Sequence, residues 1–310
     1  MNKTVLLCWN LDFGFCLEFG FWNLDSKMNI SAIDLHVHVT DWTMLKPEML
    51  ETMRRTQKGF DEALACCCEP PRFIELMDEA GIEKAGLINY VSPDLLGFTR
   101  EVNEWVANFC RGFPDRLIPF GSVHPHFTEN VAAEMDYVCG KLGMRAIKIH
   151  PPHQLMHANG YVRGDDKLRT IYTKAEAFGV PVTIHTGTSI FPGARNKYSN
   201  PMDIDDVAND FPRLKILLAH GGRPLYMNEA FFLVRRFENV FLEVSGIPPL
   251  KLLEYFPRLE EIADKTVYGS DWPGPGVPSM KTVLDQFKQL RISDEAKRKI
   301  LRETALKIFS

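Results

Sequence analysis

The stretch AIDLHVH at residues 32–38 decides the fold, because it alternates between two kinds of side chain. Ile33, Leu35 and Val37 are aliphatic, whereas Asp34, His36 and His38 are polar and share the opposite parity. Successive side chains of a strand point to opposite faces, so one face suits packed helices and the other carries the imidazoles. His-x-His is also a compact way to offer one metal ion two neutral nitrogen ligands. Surface strands carry such pairs too, so its weight depends on the rest of the chain.

Working outward, seven further short apolar segments follow: 84–90 (KAGLINY), 117–123 (LIPFGSV), 145–150 (RAIKIH), 181–186 (PVTIHT), 214–219 (LKILLA), 240–245 (VFLEVS) and 266–270 (TVYGS). Longer amphipathic or polar stretches separate them, and a last helix around 293–308 opens on Ser293 as its cap, followed by Asp294 and Glu295. Strands alternating with helices imply parallel pairing through right-handed crossovers. Eight such units over about 250 residues predict a (β/α)8 TIM barrel. No GxGxxG follows the first strand, which disfavours a doubly wound open sheet. The barrel is expected to be a single domain over 30–310. The long 41–70 connection is expected to form a partial lid over its top face.

Residues 1–29 read as an N-terminal extension, packed outside the fold or mobile, with Met28 as a second candidate start. Asp12, Glu18 and Asp25 interrupt the apolar run, leaving it short of a membrane span and unlike a signal peptide. The 310-residue chain carries a net charge of −4, which gives no electrostatic reason to expect nucleic acid or an anionic membrane as partner. Its 21 Phe and 5 Trp exclude a disordered chain. The seven cysteines are odd in number and none forms a CxxC pair, which speaks against a disulfide framework or a Cys-ligated zinc site. A reducing, cytoplasmic compartment is the simplest reading, and the triplet Cys66, Cys67 and Cys68 is expected to serve mainly as small apolar packing.

Chemistry-bearing residues fall at the strand ends. Thr183 and His185 share one parity of the fifth segment. In the sixth, Ile216, Leu218 and His220 share a face, His220 standing just before Gly221 and Gly222. The eighth ends on Gly269-Ser270-Asp271. Several imidazoles with one carboxylate suit Zn2+, Mn2+ or Fe2+ better than Mg2+ or Ca2+. Arg223 is a candidate for a substrate carboxylate, which its planar fork can bind bidentately, or for a salt bridge at the next helix start. Arg163, Arg195 and Lys197 are weaker candidates for the same task. Trp42 and Trp272 could form apolar pocket walls. His124, His126, His150, His153 and His157 are expected to be loop residues, with one or two lining the pocket.

The set IDLHVH, AIKIHPP, PVTIHTG, LLAHGGRP and VYGSDWPG, in that order over residues 30–308, resembles the amidohydrolase superfamily. The branch it resembles is that of amidohydrolase-related metal-dependent hydrolases, which includes decarboxylases similar to the aminocarboxymuconate semialdehyde enzyme. The resemblance implies that His36, His38, His185 and Asp271 bind the metal and that His220 and Asp271 are catalytic. Lys148, of inward parity in the fourth segment, is either unmodified and in contact with a carboxylate, the favoured reading, or carboxylated and bridging two metals. One divalent ion, zinc first and manganese or iron next, is therefore expected. The function implied is hydrolysis of a C–O or C–N bond in a small organic acid, lactone or amide through a metal-activated water. The alternative is non-oxidative decarboxylation of an aromatic or unsaturated carboxylic acid. Retention of both strand-1 histidines leans toward hydrolysis, since several decarboxylase relatives carry Glu at the first. Substrate contacts are expected from Arg223, Lys148 and Trp272, and a homodimer is the expected assembly. One departure is Thr304, where relatives usually have Asn; it is expected to cost a packing hydrogen bond.

Overall fold

The computed structural model describes residues 30–310; the expected extension over 1–29, with Cys8 and Cys16, lies outside the described residues. Eight strands form one parallel sheet in chain order: β1 (Ala32–Val37), β2 (Ile82–Leu87), β3 (Leu117–Gly121), β4 (Ala146–Ile149), β5 (Val182–His185), β6 (Ile216–Ala219), β7 (Val240–Glu243) and β8 (Thr266–Val267). The sheet closes where the chain around β8 meets β1. Leu35 N donates to Tyr268 O at 3.0 Å, Asp271 N to His36 O at 2.9 Å and His38 N to Trp272 O at 2.7 Å. The expected (β/α)8 TIM barrel is the architecture found.

Two cores follow from the alternation. Outward-facing Ile147, Ile149, Val182, Ile184, Ile216, Leu218, Val240 and Leu242 pack against helix residues such as Leu168, Ile171 and Leu233. The helix Asp166–Phe178 shows why these segments are helical: the Asp165 side chain caps its first turn, accepting from Leu168 N, and Gly179 ends it in the left-handed region. Inside the barrel, Ile33, Leu35, Leu217, Phe241 and Val267 meet Ala305 and Ile308 of the last helix, which plugs the bottom. Lys215 Nζ donates to Ile308 O at 2.7 Å and fastens that plug. The last helix begins as expected, with Ser293 accepting from Ala296 N. Thr304 makes a hydrogen bond rather than losing one, donating to Ala263 O at 3.2 Å.

The expected parity of β1 needs correction. Ile33 and Leu35 face the barrel interior, not the helices, yet His36 and His38 also line the interior cavity. The pairing with β2 explains it: Asp34 lies opposite Ala85 and Val37 opposite Leu87, so three steps on one strand match two on the other. This bulge reverses the parity halfway along the strand. Asp34, fully buried, accepts from His36 N at 3.1 Å and from Ser270 N at 2.9 Å. It holds backbone and reaches no imidazole.

Strand β6 needs a similar correction. Ile216 and Leu218 face the helices, so alternation would carry His220 outward with them. The chain instead turns at His220, whose φ of 67° is left-handed and swings its ring into the cavity.

The segment 41–70 folds as a 3-10 turn at Trp42–Met44 and helices at Pro47–Thr56 and Phe60–Cys68. Trp42, Leu45 and Met53 from it line the cavity, as the expected lid requires. Cys66 and Cys67 are buried and free, and burial pushes their thiols up to about 11 and about 12, so they act as packing, whereas Cys68 is exposed and does not. Among the described residues no helix is long and apolar enough to cross a membrane.

Gly86 on β2 tests the packing of the interior. A Cβ there would lie 2.8 Å from both Leu35 O and a Phe120 ring carbon. Gly86→Val is expected to lower stability by about 2–3 kcal/mol through overpacking, measured as a reduced urea midpoint at unchanged slope.

Candidate active site

The site is built at the C-terminal ends of the strands, where barrel loops converge. From β1 come His36, fully buried, and His38, partly exposed. Asp271 follows β8, its φ of 66° turning the carboxylate toward them. Its Oδ1 lies 3.2 Å from His38 Nε2 and 3.7 Å from His36 Nε2, and one ligand atom of each residue falls within 4.8 Å of the others. Ligands bound to one ion at about 2.0–2.2 Å with tetrahedral angles stand about 3.4 Å apart, so the spacing suits a single cation.

The hydrogen bonding sorts the imidazole nitrogens. His36 Nδ1 donates to Glu243 Oε2 at 2.5 Å, leaving Nε2 as the lone-pair nitrogen, buried and without a hydrogen-bond partner. Glu243 is itself held by Ser245 N, which donates to Oε1 at 2.7 Å. A carboxylate on the far nitrogen of a ligating histidine fixes its tautomer and raises its basicity. His220 Nδ1 donates to Ser245 O at 3.0 Å, so its Nε2 is also the free nitrogen. Burial drives His36, His185 and His220 well below the ordinary histidine range. They are neutral donors, as a metal requires.

His185 stands beside this group rather than in its tight triad. Its ring centroid is 4.6 Å from that of His220, and His220 lies 4.8 Å from His36. Both His185 nitrogens are buried without a partner, an arrangement that costs free energy unless something occupies them. The donor set, the neutral His36 and His185 and their orphaned nitrogens therefore fit a divalent cation held by His36, His38 and Asp271, with His185 as the further imidazole within the same cavity.

Asp271 is the charged centre. Burial alone would raise its carboxyl, but the His38 hydrogen bond and the Arg223 guanidinium outweigh burial and hold it at about 2. Arg223 Nη2 lies 3.6 Å from Asp271 Oδ2, and its Nε has no partner. Arg223 thus points into the cavity, not to a carboxylate at the next helix start. Gly246 makes room for this pair: a Cβ there would lie 2.5 Å from Arg223 Nη2 and 2.6 Å from Asp271 Oδ2.

Lys148 on β4 is fully buried and lines the cavity floor. Its Nζ has no hydrogen-bond partner, so the expected contact with a protein carboxylate is not made. Burial pushes it down to about 8, against the pull of Glu243 and Asp271.

Trp272 corrects another expectation. It lies outside the cavity wall, stacked on Phe73 with ring planes 10° apart in the outer core. It follows the left-handed turn at Asp271, and its ring packs outward in the core while the Asp271 carboxylate faces the cavity. Trp42 does line the cavity.

His150 and His153 also line it, stacked with His185 at centroid distances of 3.6 Å (His150 to His153) and 3.9 Å (His150 to His185). His153 bridges Tyr90 Oη at 3.0 Å and Ser189 Oγ at 2.7 Å. His126 and His157 instead pair with Asp165 and Asp203. Sequence inspection missed Glu243, Ser245 and Tyr90. Glu243 was the findable one, a lone acid inside the apolar strand VFLEVS on the same face as inward-facing Phe241.

The fold and site can be set beside known proteins. An uncharacterised TIM-barrel protein from Bordetella bronchiseptica is 24% identical, with a TM-score of 0.72 over 90% of this chain and 98% of that one. A dihydroxybenzoic acid decarboxylase from Polaromonas, with bound manganese and the inhibitor 2-nitroresorcinol, is 19% identical, TM-score 0.65, over 90% and 96%. A probable 2-pyrone-4,6-dicarboxylic acid hydrolase from Acinetobacter baumannii, with citric acid bound, is 15% identical, TM-score 0.62, over 90% and 99%. At these identities the likeness is one of fold. The family model described as Amidohydrolase matches residues 33–310, which takes in every strand and every residue of the site, and the chain belongs to that family.

Proposed function

We propose that the protein is a divalent-metal-dependent hydrolase that cleaves a C–O or C–N bond in a small organic acid, lactone or amide. The observation that carries this reading is Asp271: an ionised carboxylate at the cavity floor, between the imidazoles of His36 and His38 and beside a guanidinium. His36, His38, His185 and Asp271 would hold the ion, zinc first and manganese or iron next. Bound there, it supplies Lewis acidity toward water and toward a carbonyl oxygen.

The chain's own groups divide the remaining work. Asp271 accepts a proton from the attacking water and returns it to the leaving oxygen or nitrogen as the bond to carbon breaks. His220, committed through Nδ1 to Ser245 O, offers its Nε2 lone pair to orient that water. Arg223 binds a carboxylate of the substrate in a bidentate grip. Lys148, read as unmodified, offers an unpartnered ammonium to a substrate oxygen, and that reading goes with a single ion. The partner in this reading is a small molecule, and a homodimer is the proposed assembly.

Decarboxylation of an aromatic or unsaturated acid is the second reading. What favours it is the apolar enclosure above the floor, formed by residues such as Leu96, Phe98 and Phe191, since a carboxylate drawn out of water is closer in energy to released CO2.

Metal-loaded protein incubated in 18O-enriched water with lactones, N-acyl amides and aryl carboxylates separates the two. Incorporation of 18O into product supports hydrolysis; CO2 release supports the second reading, and neither product with zinc, manganese or iron removes both. Glu243→Gln is expected to weaken metal affinity about 10–100-fold in a competitive chelator titration; unchanged affinity would deny the orienting role of Glu243. His185→Ala should lose most bound metal by elemental analysis while its far-ultraviolet circular dichroism stays native. Full occupancy in that variant would take His185 out of the ligand set.

A further inference from the structure

The cavity, about 400 Å³ in volume, divides by chemistry. Its floor carries the imidazoles, Asp271 and Lys148, with Arg223 at one side. Its upper walls include Trp42, Leu45 and Met53 from the segment after β1, Leu96 and Phe98 from the segment after β2, and Val277 from the segment after β8, with uncharged polar side chains such as Ser189 and Gln286 also lining the cavity. None of these bears a charge, and among the described residues Arg223 and Lys148 are the only lysine or arginine side chains lining the cavity. The walls are fixed in place, because Trp42, Met53 and Val277 belong to the outer core and Leu96 and Phe98 to a second buried cluster.

Volume and polarity together select a substrate shape. An apolar cavity of about 150 Å³ holds one benzene ring. The volume here leaves room for a ring-sized reacting group on the floor and a second group of similar size above it. Apolar walls favour that second group by about 25 cal/mol per Å² of apolar surface buried, and they penalise a charge that has no counter-ion.

The geometry points to an amphiphilic substrate: one carboxylate held at Arg223, joined to an uncharged apolar body, a second ring or a chain of like size, that fills the upper chamber. This deepens the hydrolase reading and rests on its assignment of Arg223 to the substrate acid. A second carboxylate at the far end of the molecule finds no lysine or arginine partner there among the described residues and is disfavoured.

Binding rather than turnover tests it, so a failure of the hydrolase reading stays distinguishable. Benzoate, biphenyl-4-carboxylate, biphenyl-4,4′-dicarboxylate and neutral biphenyl-4-methanol are titrated calorimetrically into the full chain, as purified and zinc-loaded. The added ring is expected to tighten binding about thirtyfold or more over benzoate, and the far carboxylate to abolish that gain. Leu45→Glu, at a half-buried wall position, should weaken biphenyl-4-carboxylate about tenfold and leave benzoate unchanged, the second result showing that the variant is folded. Equal binding of benzoate and biphenyl-4-carboxylate, or tightest binding of the dicarboxylate, overturns the proposal. Tight binding of biphenyl-4-methanol with no advantage for the acid also overturns it, and locates the fault in Arg223 rather than in the chamber.

Discussion

The site depends on the closure of the sheet between its first and last strands. Asp34 makes one side of that seam, accepting from the backbone N–H groups of His36 and of Ser270, residues far apart in the chain. Asp271 N and His38 N complete it through His36 O and Trp272 O. Because these bonds lie within two residues of the candidate ligands, the geometry that closes the barrel also sets Asp271 Oδ1 between His36 and His38. Burying Asp34 raises its carboxyl to about 7, a cost offset because two backbone donors, His36 N in the bulge and Ser270 N after β8, would otherwise be stranded.

Low dielectric governs the rest of the site. Desolvation is the largest influence on every buried imidazole here and outweighs nearby carboxylates, which is why His36, His185 and His220 are neutral. Asp271 goes the other way, because its partners overcome burial. The floor and the shell behind it hold two carboxyl groups, Asp271 and, beyond the cavity wall, Glu243, which burial raises to about 7, together with Lys148 and, at one side, Arg223. Near-balance of formal charge keeps such a cluster tolerable away from water, and the unpartnered nitrogens on His185 and Lys148 are the vacant valences that a cation and an anionic substrate would satisfy.

Much of this was legible in the chain. The strand segments stand where the apolar runs lie, since a parallel strand buried on both faces must be continuously apolar and leaves a strong signal. His36, His38, His185, His220, Arg223 and Asp271 were legible because a polar side chain at the end of such a strand has no packing reason to be there. Glu243 was overlooked although it obeys the same rule, and Trp272 was misassigned because size and aromaticity alone do not say which face a residue takes.

What the sequence by itself determined is therefore the periodicity: eight strands, their helices and the polar residues at one end of several of them. What only the tertiary structure decided is direction. The bulge in β1 and the left-handed turn at His220 each reverse an alternation that sequence can only extrapolate, and the pairing of His36 with Glu243 joins strands 207 positions apart. Backbone irregularities and long-range contacts arise from fitting strands into a closed ring, and no local pattern of side chains encodes that fit.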